Sequence, residues 1–249
     1  MDTWAQGHGA VRRICRCDVP RHVAVIMDGN GRWARRRGLP RHYGHSMGAK
    51  ALRRTVETAG EIGVEYLTVY GFSTENWKRP ASEVAVIMQL FRSYLRSEVA
   101  ALHEADVRFR VIGERSDLPD DIAALIDQAE YLTSANSGMT LTAAISYGGR
   151  ADILQAVQRI AEAVQAGEIG PGDVNEAVFS RYLLTNGLPD VDLLIRSSGE
   201  QRISNFLIWA VAKAHCRFLE CLWPDFQAAD LKAAVRDWSA QHECAAERK

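Results

Sequence analysis

The sequence predicts a single-domain α/β fold in which about six mostly parallel strands are flanked by helices. Two observations lead to this prediction. Short apolar runs alternate along the chain with longer segments of helical period, which is typical of repeated strand–helix units. The 249 residues, 47% of them apolar, are enough to bury one core of this kind. The sequence shows no repeat of solenoid length and no low-complexity tract that would favour another architecture.

The individual strands and helices follow from the same pattern. Six short apolar runs predict strands at 22–27, 65–71, 107–112, 140–146, 191–195 and 217–222. Apolar residues at three- and four-residue steps predict helices at 44–62, 83–104, 119–133, 150–166, 174–184, 204–214 and 228–242. The segment 83–104 is unusually apolar on one side. It is expected to pack against the sheet, or to form a wall for a long hydrocarbon.

Composition limits the partners and the cellular compartment. The 30 basic and 31 acidic residues give a formal net charge of −1, so the chain as a whole has no positive charge that would attract nucleic acid or an anionic membrane. The five cysteines are odd in number and never spaced C-x-x-C, which favours free thiols in a reducing compartment. No signal-peptide region is visible, and no run approaches the roughly 18 apolar residues of a membrane span. We therefore expect a cytoplasmic protein.

A glycine turn follows the first predicted strand. Glycine tolerates unusual backbone torsions and lets a ligand approach free amides, which favours anion binding at residues Gly29, Asn30, Gly31 and Arg32. The segment GNGRWA also fits the loose dinucleotide-binding pattern. That pattern needs an acidic residue at the end of the second strand, whereas this strand ends at residues 70–73 (YGFS). The dinucleotide interpretation is therefore disfavoured.

An aspartate precedes this turn. The carboxylate of Asp28 would repel a diphosphate unless a divalent cation lay between them. Arg41 stands near the start of the next predicted helix, where the helix dipole favours an anion, and His45 follows four residues later. The arginines at 35–37 are expected to form a solvated face. Together these residues predict a metal-assisted diphosphate site, although His45 alone could simply begin a helix.

A second polar loop, residues 71–80 (GFSTENWKRP), follows the second predicted strand. It therefore lies at the carboxyl end of the sheet, where open α/β folds bind ligands. Polar side chains stand there between Phe72 and Trp77, and they are Ser73, Glu75, Asn76 and Arg79. Any one of them could merely cap a turn. Four polar types between aromatic residues favour a binding loop.

A third loop lies in residues 192–209 (DLLIRSSGEQRISNFLIW). Arg196 ends a predicted strand, and Arg202 and Ser204 follow at the start of a predicted helix. A guanidinium can bind two phosphate oxygens at once and keeps its charge. With the first turn this makes two anion sites at one edge of the sheet, which indicates two diphosphate substrates.

At this point the ordered motifs resemble the cis-prenyltransferase family, and specifically its bacterial undecaprenyl diphosphate synthases. The matching segments are HVAVIMDGNGRWA, RHYGH, YGFSTENWKRP, SYGGR, DLLIRSSGEQRISNF and LWPDF, over about residues 19–240. The resemblance implies a catalytic domain at 19–242, a flexible N-terminal segment at 1–18 and a C-terminal tail at 243–249. It also implies a homodimer and a hydrophobic tunnel lined partly by the helix at 83–104.

The resemblance further implies the reaction. Isopentenyl diphosphate would be condensed successively, in cis and with Mg²⁺, onto an allylic diphosphate such as farnesyl diphosphate. The product would be a long polyprenyl diphosphate such as undecaprenyl diphosphate, the carrier lipid of cell-wall (peptidoglycan) glycan synthesis. Membrane contact would be transient and serve product release, and no nucleic acid is expected as a partner.

Individual roles are implied in the same way. Asp28 would hold Mg²⁺ against the allylic diphosphate, and the backbone of residues 29–32 with Arg41 would cradle that group. Isopentenyl diphosphate would be clamped by Arg196, Arg202, Ile203 and Ser204. The loop residues Ser73, Glu75 and Asn76 would take part in proton removal, with the neutral amide as a relay because it is a poor base. Further substrate contacts would be Trp33, His45, Thr74, Trp77 and Arg79.

Two positions depart from the family pattern. His215 stands where most bacterial members carry a glutamate metal ligand, and histidine favours softer metals than Mg²⁺. Ser146 replaces the asparagine of the family NYGGR segment. Gly71 leaves room near the tunnel mouth, whereas Met139 takes a position associated with the tunnel floor. The starter, the exact product length and the proton acceptor stay open.

Three alternatives accompany this interpretation. The departures admit a specialised synthase with a shorter or unusual product. A noncatalytic partner subunit of the same fold is disfavoured, because such subunits commonly lose the aspartate and the phosphate-binding arginines that this chain retains. A nucleic-acid-binding module is disfavoured by the neutral charge and by tryptophans that sit within turns.

Overall fold

A parallel sheet runs through the residues that the computed structural model describes, 19–246. Its six strands are His22–Ile26 (β1), Tyr66–Ser73 (β2), Arg108–Ile112 (β3), Thr140–Tyr147 (β4), Leu193–Arg196 (β5) and His215–Phe218 (β6). Their order is β3-β4-β2-β1-β5-β6, and every neighbouring pair is parallel. The predicted α/β class is confirmed. The order differs from the 3-2-1-4-5-6 arrangement of dinucleotide-binding folds.

Helices flank this sheet. They are Asn30–Arg36 (α1), Arg41–Ile62 (α2), Ala81–Glu104 (α3), Asp120–Leu132 (α4), Gly149–Gln165 (α5), Glu176–Tyr182 (α6) and Ala228–Ala246 (α7). Prolines at 40, 80 and 119 stand immediately before α2, α3 and α4, where a fixed φ is compatible with helix entry. Gly63 ends α2 with a left-handed backbone, φ 88°.

Alternate side chains of the strands enter two hydrophobic clusters. Val23 and Val25 of β1 pack with α2, α3, α4 and α7 on one face of the sheet. Ala24 on the other face packs with Phe206, which lies in the loop after β5. All five side chains of β1 are buried, as expected for a central strand of a sheet covered on both sides. The carboxyl end of the sheet is left for the polar loops.

Three predictions of local structure are wrong. Residues 204–214 form successive turns rather than a helix, because Ser204, Asn205 and Leu207 have positive φ values of 48°, 62° and 46°. The sixth strand, predicted at 217–222, lies at His215–Phe218, and of residues 219–222 only Leu219 N–H still donates to β5, at 2.8 Å to the Arg196 carbonyl. Residues 30–32, predicted as a turn, form the first turn of α1.

Some expectations fall outside the described residues. The N-terminal segment 1–18, including Cys15 and Cys17, and the last residues, 247–249, are among them.

Cys216 and Cys221 are free thiols, and burial, followed by the charge of Asp230, raises the pKa of Cys221 to about 11. A search of the helices in the described range finds none that is both long and apolar enough to span a membrane.

Candidate active site

The carboxyl ends of β1, β2 and β5 open into one cleft of about 860 Å³. The chain leaves β1 towards β2 on one side, whereas β5 lies on the other, and ligands of open α/β sheets bind at such a switch point. Fourteen predicted site residues line this cleft. They are Asp28, Gly29, Asn30, Gly31, Arg32, Arg41, His45, Ser73, Glu75, Asn76, Arg79, Arg196, Arg202 and Ser204.

The cleft is strongly cationic although the whole chain is nearly neutral. Six arginines line it, at positions 32, 35, 41, 79, 196 and 202, against three carboxylates, at 28, 75 and 83. The formal net charge of the chain is −1. A concave surface with this local excess of positive charge attracts polyanions such as diphosphates.

Asp28 lies at the centre of the ion pairs of the cleft. Its Oδ2 accepts hydrogen bonds from Arg196 Nη2 at 2.9 Å and from Arg32 Nη2 at 3.3 Å. Ser197 fixes its backbone, since the Ser197 Oγ accepts from Asp28 N–H at 3.0 Å and donates to the Asp28 carbonyl at 2.7 Å. Gly29 follows with a left-handed φ of 109° and packs on Leu222, so the chain turns at once into α1.

The environment keeps this carboxylate ionised. Partial burial alone would raise the pKa of Asp28, but hydrogen bonds from Arg196 and Ser198, together with the charges of Arg196 and Arg32, outweigh it and hold the pKa below its ordinary value. The Arg196 side chain is only 4% exposed, so the aspartate is the counter-charge of a buried guanidinium. Asp28 therefore neutralises this buried guanidinium and also presents an ionised carboxylate to the cleft.

This lowered pKa makes the fold sensitive to acid. The ionised carboxylate stabilises the native chain above the ordinary pKa of 3.8, and this contribution is lost as the pH falls through the lower, native-state pKa. We expect the melting temperature of the native protein to fall more steeply between about pH 5 and about pH 3 than that of Asp28→Asn. Circular dichroism melts of both proteins measure this difference. Parallel pH curves would contradict it.

The second loop is held by local hydrogen bonds at the end of β2. Ser73 and Asn76 cap the short 3₁₀ helix Thr74–Lys78 reciprocally, with Ser73 N–H donating to Asn76 Oδ1 at 3.2 Å. This fixes the amide of Asn76 by its oxygen and leaves its nitrogen as the group available to a ligand.

Asn205, which the sequence analysis did not single out, joins three loops. Its Nδ2 donates to Glu75 Oε1 at 2.8 Å, while its Oδ1 accepts from the backbone N–H of Arg150 at 2.9 Å. Its own carbonyl accepts from Gly149 N–H at 2.8 Å. Burial opposes ionisation of Glu75, but hydrogen bonds led by that from Asn205 lower its pKa. The only sequence signal was its place within the RISNF segment.

Replacing Asn205 with alanine is expected to free the Glu75 carboxylate and to raise its pKa towards the ordinary value. The acidic limb of the pH–rate profile should then move to higher pH, and the maximal rate should fall by roughly tenfold. Steady-state rates between about pH 3.5 and about pH 7 measure both effects. An unchanged acidic limb with a lower rate would show that Asn205 supports the fold alone.

Glu83 organises the side of the cleft formed by α2 and α3. It lies in the first turn of α3, is 12% exposed, and accepts from Arg41 Nη1 at 2.6 Å and from Arg79 Nη1 at 3.0 Å. Burial and the nearby charge of Arg79 lower the pKa of His45, which favours a neutral imidazole beside these arginines. Glu83 was not predicted as a site residue, because a single acidic residue in the first turn of a helix usually stabilises that helix by interacting with its dipole.

The loop after β5 brings the third group of predicted residues together without the predicted helix. Arg196 Nη1 donates to Ser204 Oγ at 2.7 Å and also to the Arg202 carbonyl. Arg202 Nη1 pairs with Glu200 Oε2 at 2.5 Å. Within residues 19–246 the buried Nε of Arg196 has no hydrogen-bond partner. Arg196 thus joins Asp28 to the turn that carries Ser204.

Four predicted contact residues do not line the cleft. Trp33 lies on the buried side of α1, where its Nε1 donates to Asp225 Oδ1 at 2.7 Å and the Arg37 guanidinium covers its ring at 4.1 Å. Trp77 donates through Nε1 to Ser146 Oγ at 2.8 Å, and Ser146 donates to Asp117 Oδ2. Ser146 therefore holds the Trp77 side chain of the second loop in place. The other two residues outside the lining are Thr74 and Ile203.

His215 does not lie with Asp28. It begins β6 opposite Leu193, whereas the cleft lies at the Arg196 end of β5, about 10 Å further along the strands. In the part of the chain that the structure describes, no group of three or more histidine, cysteine or acidic side chains is arranged to hold a metal. Within one chain His215 and Asp28 do not share a metal site.

An apolar cavity of about 120 Å³, here called cavity A, adjoins the cleft between the sheet, α2 and α3. Residues that line both spaces include Met27, His45, Gly71 and Phe72. The predicted wall of α3 contributes Ile87, Met88, Leu90, Phe91 and Tyr94. Met139, expected at the floor, is instead buried in the core and does not line this cavity.

The fold and site define a class of protein: a parallel α/β protein with an arginine-rich cleft that leads into an apolar cavity. The family model of the undecaprenyl diphosphate synthases (Prenyltransf) matches residues 26–245. The chain belongs to this prenyltransferase family, whose members are transferases.

Known proteins of similar sequence align with this chain along most of their length. The chain is 48% identical over 217 residues to the farnesyl-diphosphate-specific ditrans,polycis-undecaprenyl-diphosphate synthase of Vibrio cholerae, covering 87% of each chain. It is 49% identical to the isoprenyl transferase of Brucella suis, covering 86% of this chain and 85% of the relative.

Solved structures show the same fold. Lavandulyl diphosphate synthase from Lavandula x intermedia, in complex with dimethylallyl diphosphate, matches with a TM-score of 0.87 and 38% identity, covering 89% of this chain and 96% of that one. A probable undecaprenyl diphosphate synthase from Campylobacter jejuni matches with a TM-score of 0.73 and 30% identity, covering 88% and 94%.

Proposed function

We propose that the chain condenses isopentenyl diphosphate successively onto farnesyl diphosphate and releases a long polyprenyl diphosphate such as undecaprenyl diphosphate. The observation that carries this proposal is the continuity of a cationic cleft with an apolar cavity. A substrate that is a polyanion at one end and a hydrocarbon at the other matches both surfaces. The farnesyl specificity in the name of the Vibrio cholerae relative supports the choice of starter.

The residues of the cleft fit Mg²⁺ as the cofactor. Mg²⁺ is commonly held by one or two carboxylates together with substrate phosphates and water, and the Asp28 carboxylate lies in the cleft among phosphate-binding arginines. Asp28 would hold the ion. When bound, Mg²⁺ neutralises negative charge on the departing diphosphate.

Binding of the allylic diphosphate would fall to the β1–α1 turn and its neighbours. The first-turn amides of α1 have no partner within the helix and are available to phosphate oxygens beside Arg32 and Arg41. The adjoining cavity A would receive the prenyl chain. Because cavity A is lined mainly by apolar side chains, water would be excluded from the allylic carbon as the carbon–oxygen bond breaks.

Isopentenyl diphosphate would bind at the loop after β5. The hydrogen bonds described above already hold Arg196, Arg202 and Ser204 together, so binding costs these groups little conformational entropy. This clamp would place the double bond of isopentenyl diphosphate against the allylic carbon. After the new bond forms, a proton leaves, and Asn76 and Glu75 would orient its acceptor.

Assembly and location are inferred as well. Within the described residues β6 pairs with β5 alone and forms one edge of the sheet, with Cys216 and Arg217 exposed. Such an edge is suited to contact with a second copy, which supports a homodimer. We infer a cytoplasmic enzyme whose contact with the membrane is transient and limited to release of a carrier lipid for peptidoglycan synthesis.

One assay tests the proposal. The purified protein is incubated with farnesyl diphosphate, radiolabelled isopentenyl diphosphate and Mg²⁺, and the products are separated by chain length. Long products are expected. Short products would instead indicate the specialised synthase, which the small volume of cavity A also favours. Absence of incorporation would indicate a noncatalytic subunit and overturn the proposal.

A further inference from the structure

Three aromatic rings lie together between β2, β4 and the loop after β5. Tyr70 stands near the end of β2, Tyr147 ends β4, and Phe206 lies two residues after Ser204 in the loop. The rings of Tyr70 and Phe206 stack nearly parallel, with centroids 4.3 Å apart and 11° between their planes. The Tyr147 ring meets both of them edge-on, at 6.3 Å and 6.4 Å. The cluster therefore joins the strand that carries the second loop to the loop after β5.

The Tyr70 side chain is held at both of its ends. Its backbone belongs to β2 and lies beside Ala144 of β4. Its hydroxyl donates to the Tyr147 carbonyl at 3.1 Å, and the Ser204 carbonyl oxygen lies 3.5 Å from the same hydroxyl. Burial, followed by the charge of Glu75, raises the pKa of Tyr70, so the phenol keeps the proton that this hydrogen bond needs. A ring held in this way gives firm support to the side chain that stacks on its face.

The turn that contains Phe206 has an unfavourable backbone conformation. Ser204, Asn205 and Leu207 have φ values of 48°, 62° and 46°, in the left-handed region that residues other than glycine rarely adopt. Such torsions persist only where the surrounding structure holds them. Phe206 is fully buried, and its N–H donates to the Ile203 carbonyl at 3.0 Å, so its ring anchors the turn. Loss of the stack with Tyr70 would let these torsions relax.

The same turn carries groups that would bind isopentenyl diphosphate. Arg196 Nη1 donates to Ser204 Oγ at 2.7 Å and also to the Arg202 carbonyl. Both partners precede Phe206 by a few residues only, so a shift of the Phe206 ring would move them relative to Arg196. The stack on Tyr70 therefore affects the geometry of this diphosphate site from outside the loop.

The contacts of Tyr70 favour one of the two diphosphate sites. Among the described residues, no hydrogen bond or ring contact joins Tyr70 to residues 28–32 or to Arg41, which would bind the allylic diphosphate. We propose that Tyr70 is a positioning residue for isopentenyl diphosphate, which acts through Phe206 to hold residues 202–207 in the shape that binds this substrate. This inference rests on the proposed function and adds a residue of β2 on which the second substrate depends.

Two substitutions at Tyr70 test the inference. Tyr70→Leu removes the stack and the hydrogen bond, so the KM for isopentenyl diphosphate should rise by about tenfold while the KM for farnesyl diphosphate stays within about twofold of native. Tyr70→Phe keeps the stack and should bring the KM for isopentenyl diphosphate back to within about threefold of native. Calorimetric titration with isopentenyl diphosphate alone measures the same contrast without turnover. Equal losses for both diphosphates, native affinity in Tyr70→Leu, or no recovery in Tyr70→Phe would overturn the inference.

The matched control is Tyr66→Leu, the same change four residues earlier on the same face of β2. The Tyr66 ring lies 6.1 Å from that of His22 and 5.4 Å from the Arg21 guanidinium, and it does not line the cleft. This variant should bind both substrates as the native protein does.

Phe206→Leu removes the other ring of the stack and guards against a folding defect in Tyr70→Leu. It should raise the KM for isopentenyl diphosphate in the same way. The double variant should lose no more than the weaker of the two single variants, because both changes remove one contact. Additive losses among variants that fold, as judged by circular dichroism, would contradict the inference. Failure of the native enzyme to elongate farnesyl diphosphate would overturn the proposed function instead, so the two failures are distinguishable.

Discussion

Asp28→Ala is expected to reduce turnover by about 10³-fold or more, because it removes the carboxylate that would hold Mg²⁺ against the allylic diphosphate. The structure adds a second effect. Asp28 is the counter-charge of Arg196, whose side chain is 4% exposed, and removing one partner of such a pair leaves an uncompensated charge. Since the Asp28 side chain is itself 31% exposed, we expect a loss of about 1–3 kcal/mol in the free energy of unfolding.

Asp28→Asn separates the two effects. Asparagine also removes the counter-charge of Arg196 but keeps an oxygen that can accept its hydrogen bond, so the loss of stability should be smaller than in Asp28→Ala while turnover falls as far. Turnover is measured with farnesyl and isopentenyl diphosphates, and stability by urea denaturation. Near-native turnover in either variant would remove Asp28 from the mechanism.

Arg196→Lys is the second change with a large expected effect. One guanidinium contacts Asp28, Ser204 and the carbonyl of Arg202, and a lysine ammonium cannot reproduce these contacts or a bidentate phosphate interaction. We expect kcat/KM for isopentenyl diphosphate to fall by about 10²–10³-fold. The KM for farnesyl diphosphate should change much less.

The matched control for this change is Arg36→Lys, at an exposed position on α1 that does not line the cleft. It should leave both substrates unaffected. Steady-state kinetics with each substrate varied in turn measure the contrast. Equal losses for the two diphosphates in Arg196→Lys would contradict the assignment of Arg196 to isopentenyl diphosphate.

The fold class could be predicted because its causes are local. Alternation of short apolar runs with helical segments placed five of the six strands close to their observed positions, and buried β1 is almost wholly β-branched or small. The helix predicted at 204–214 failed for a nonlocal reason. Phe206 stacks on Tyr70 at 4.3 Å, and the backbone on either side of it adopts left-handed torsions that no helical period reveals.

The close packing of α1 on α2 was also hidden from the sequence analysis. A Cβ at Gly44 or Gly48 would collide with Asn30, so both glycines let α2 approach the start of α1. This approach brings Arg41 and His45, both of α2, to the edge of the cleft. The four-residue spacing of Gly44 and Gly48 is visible in the sequence. It predicts a close helix contact only when the partner helix is known.

By itself the sequence determined which chemical groups stand at the ends of β1, β2 and β5, because strand patterns and loop residues are contiguous in the chain. Only the tertiary structure decided how those groups pair. Asp28 meets Arg196 across 168 residues, Asn205 meets Glu75 across 130, and cavity A exists only where two helices pack against the sheet. Such contacts depend on the packing of the whole core, which local residue patterns do not encode.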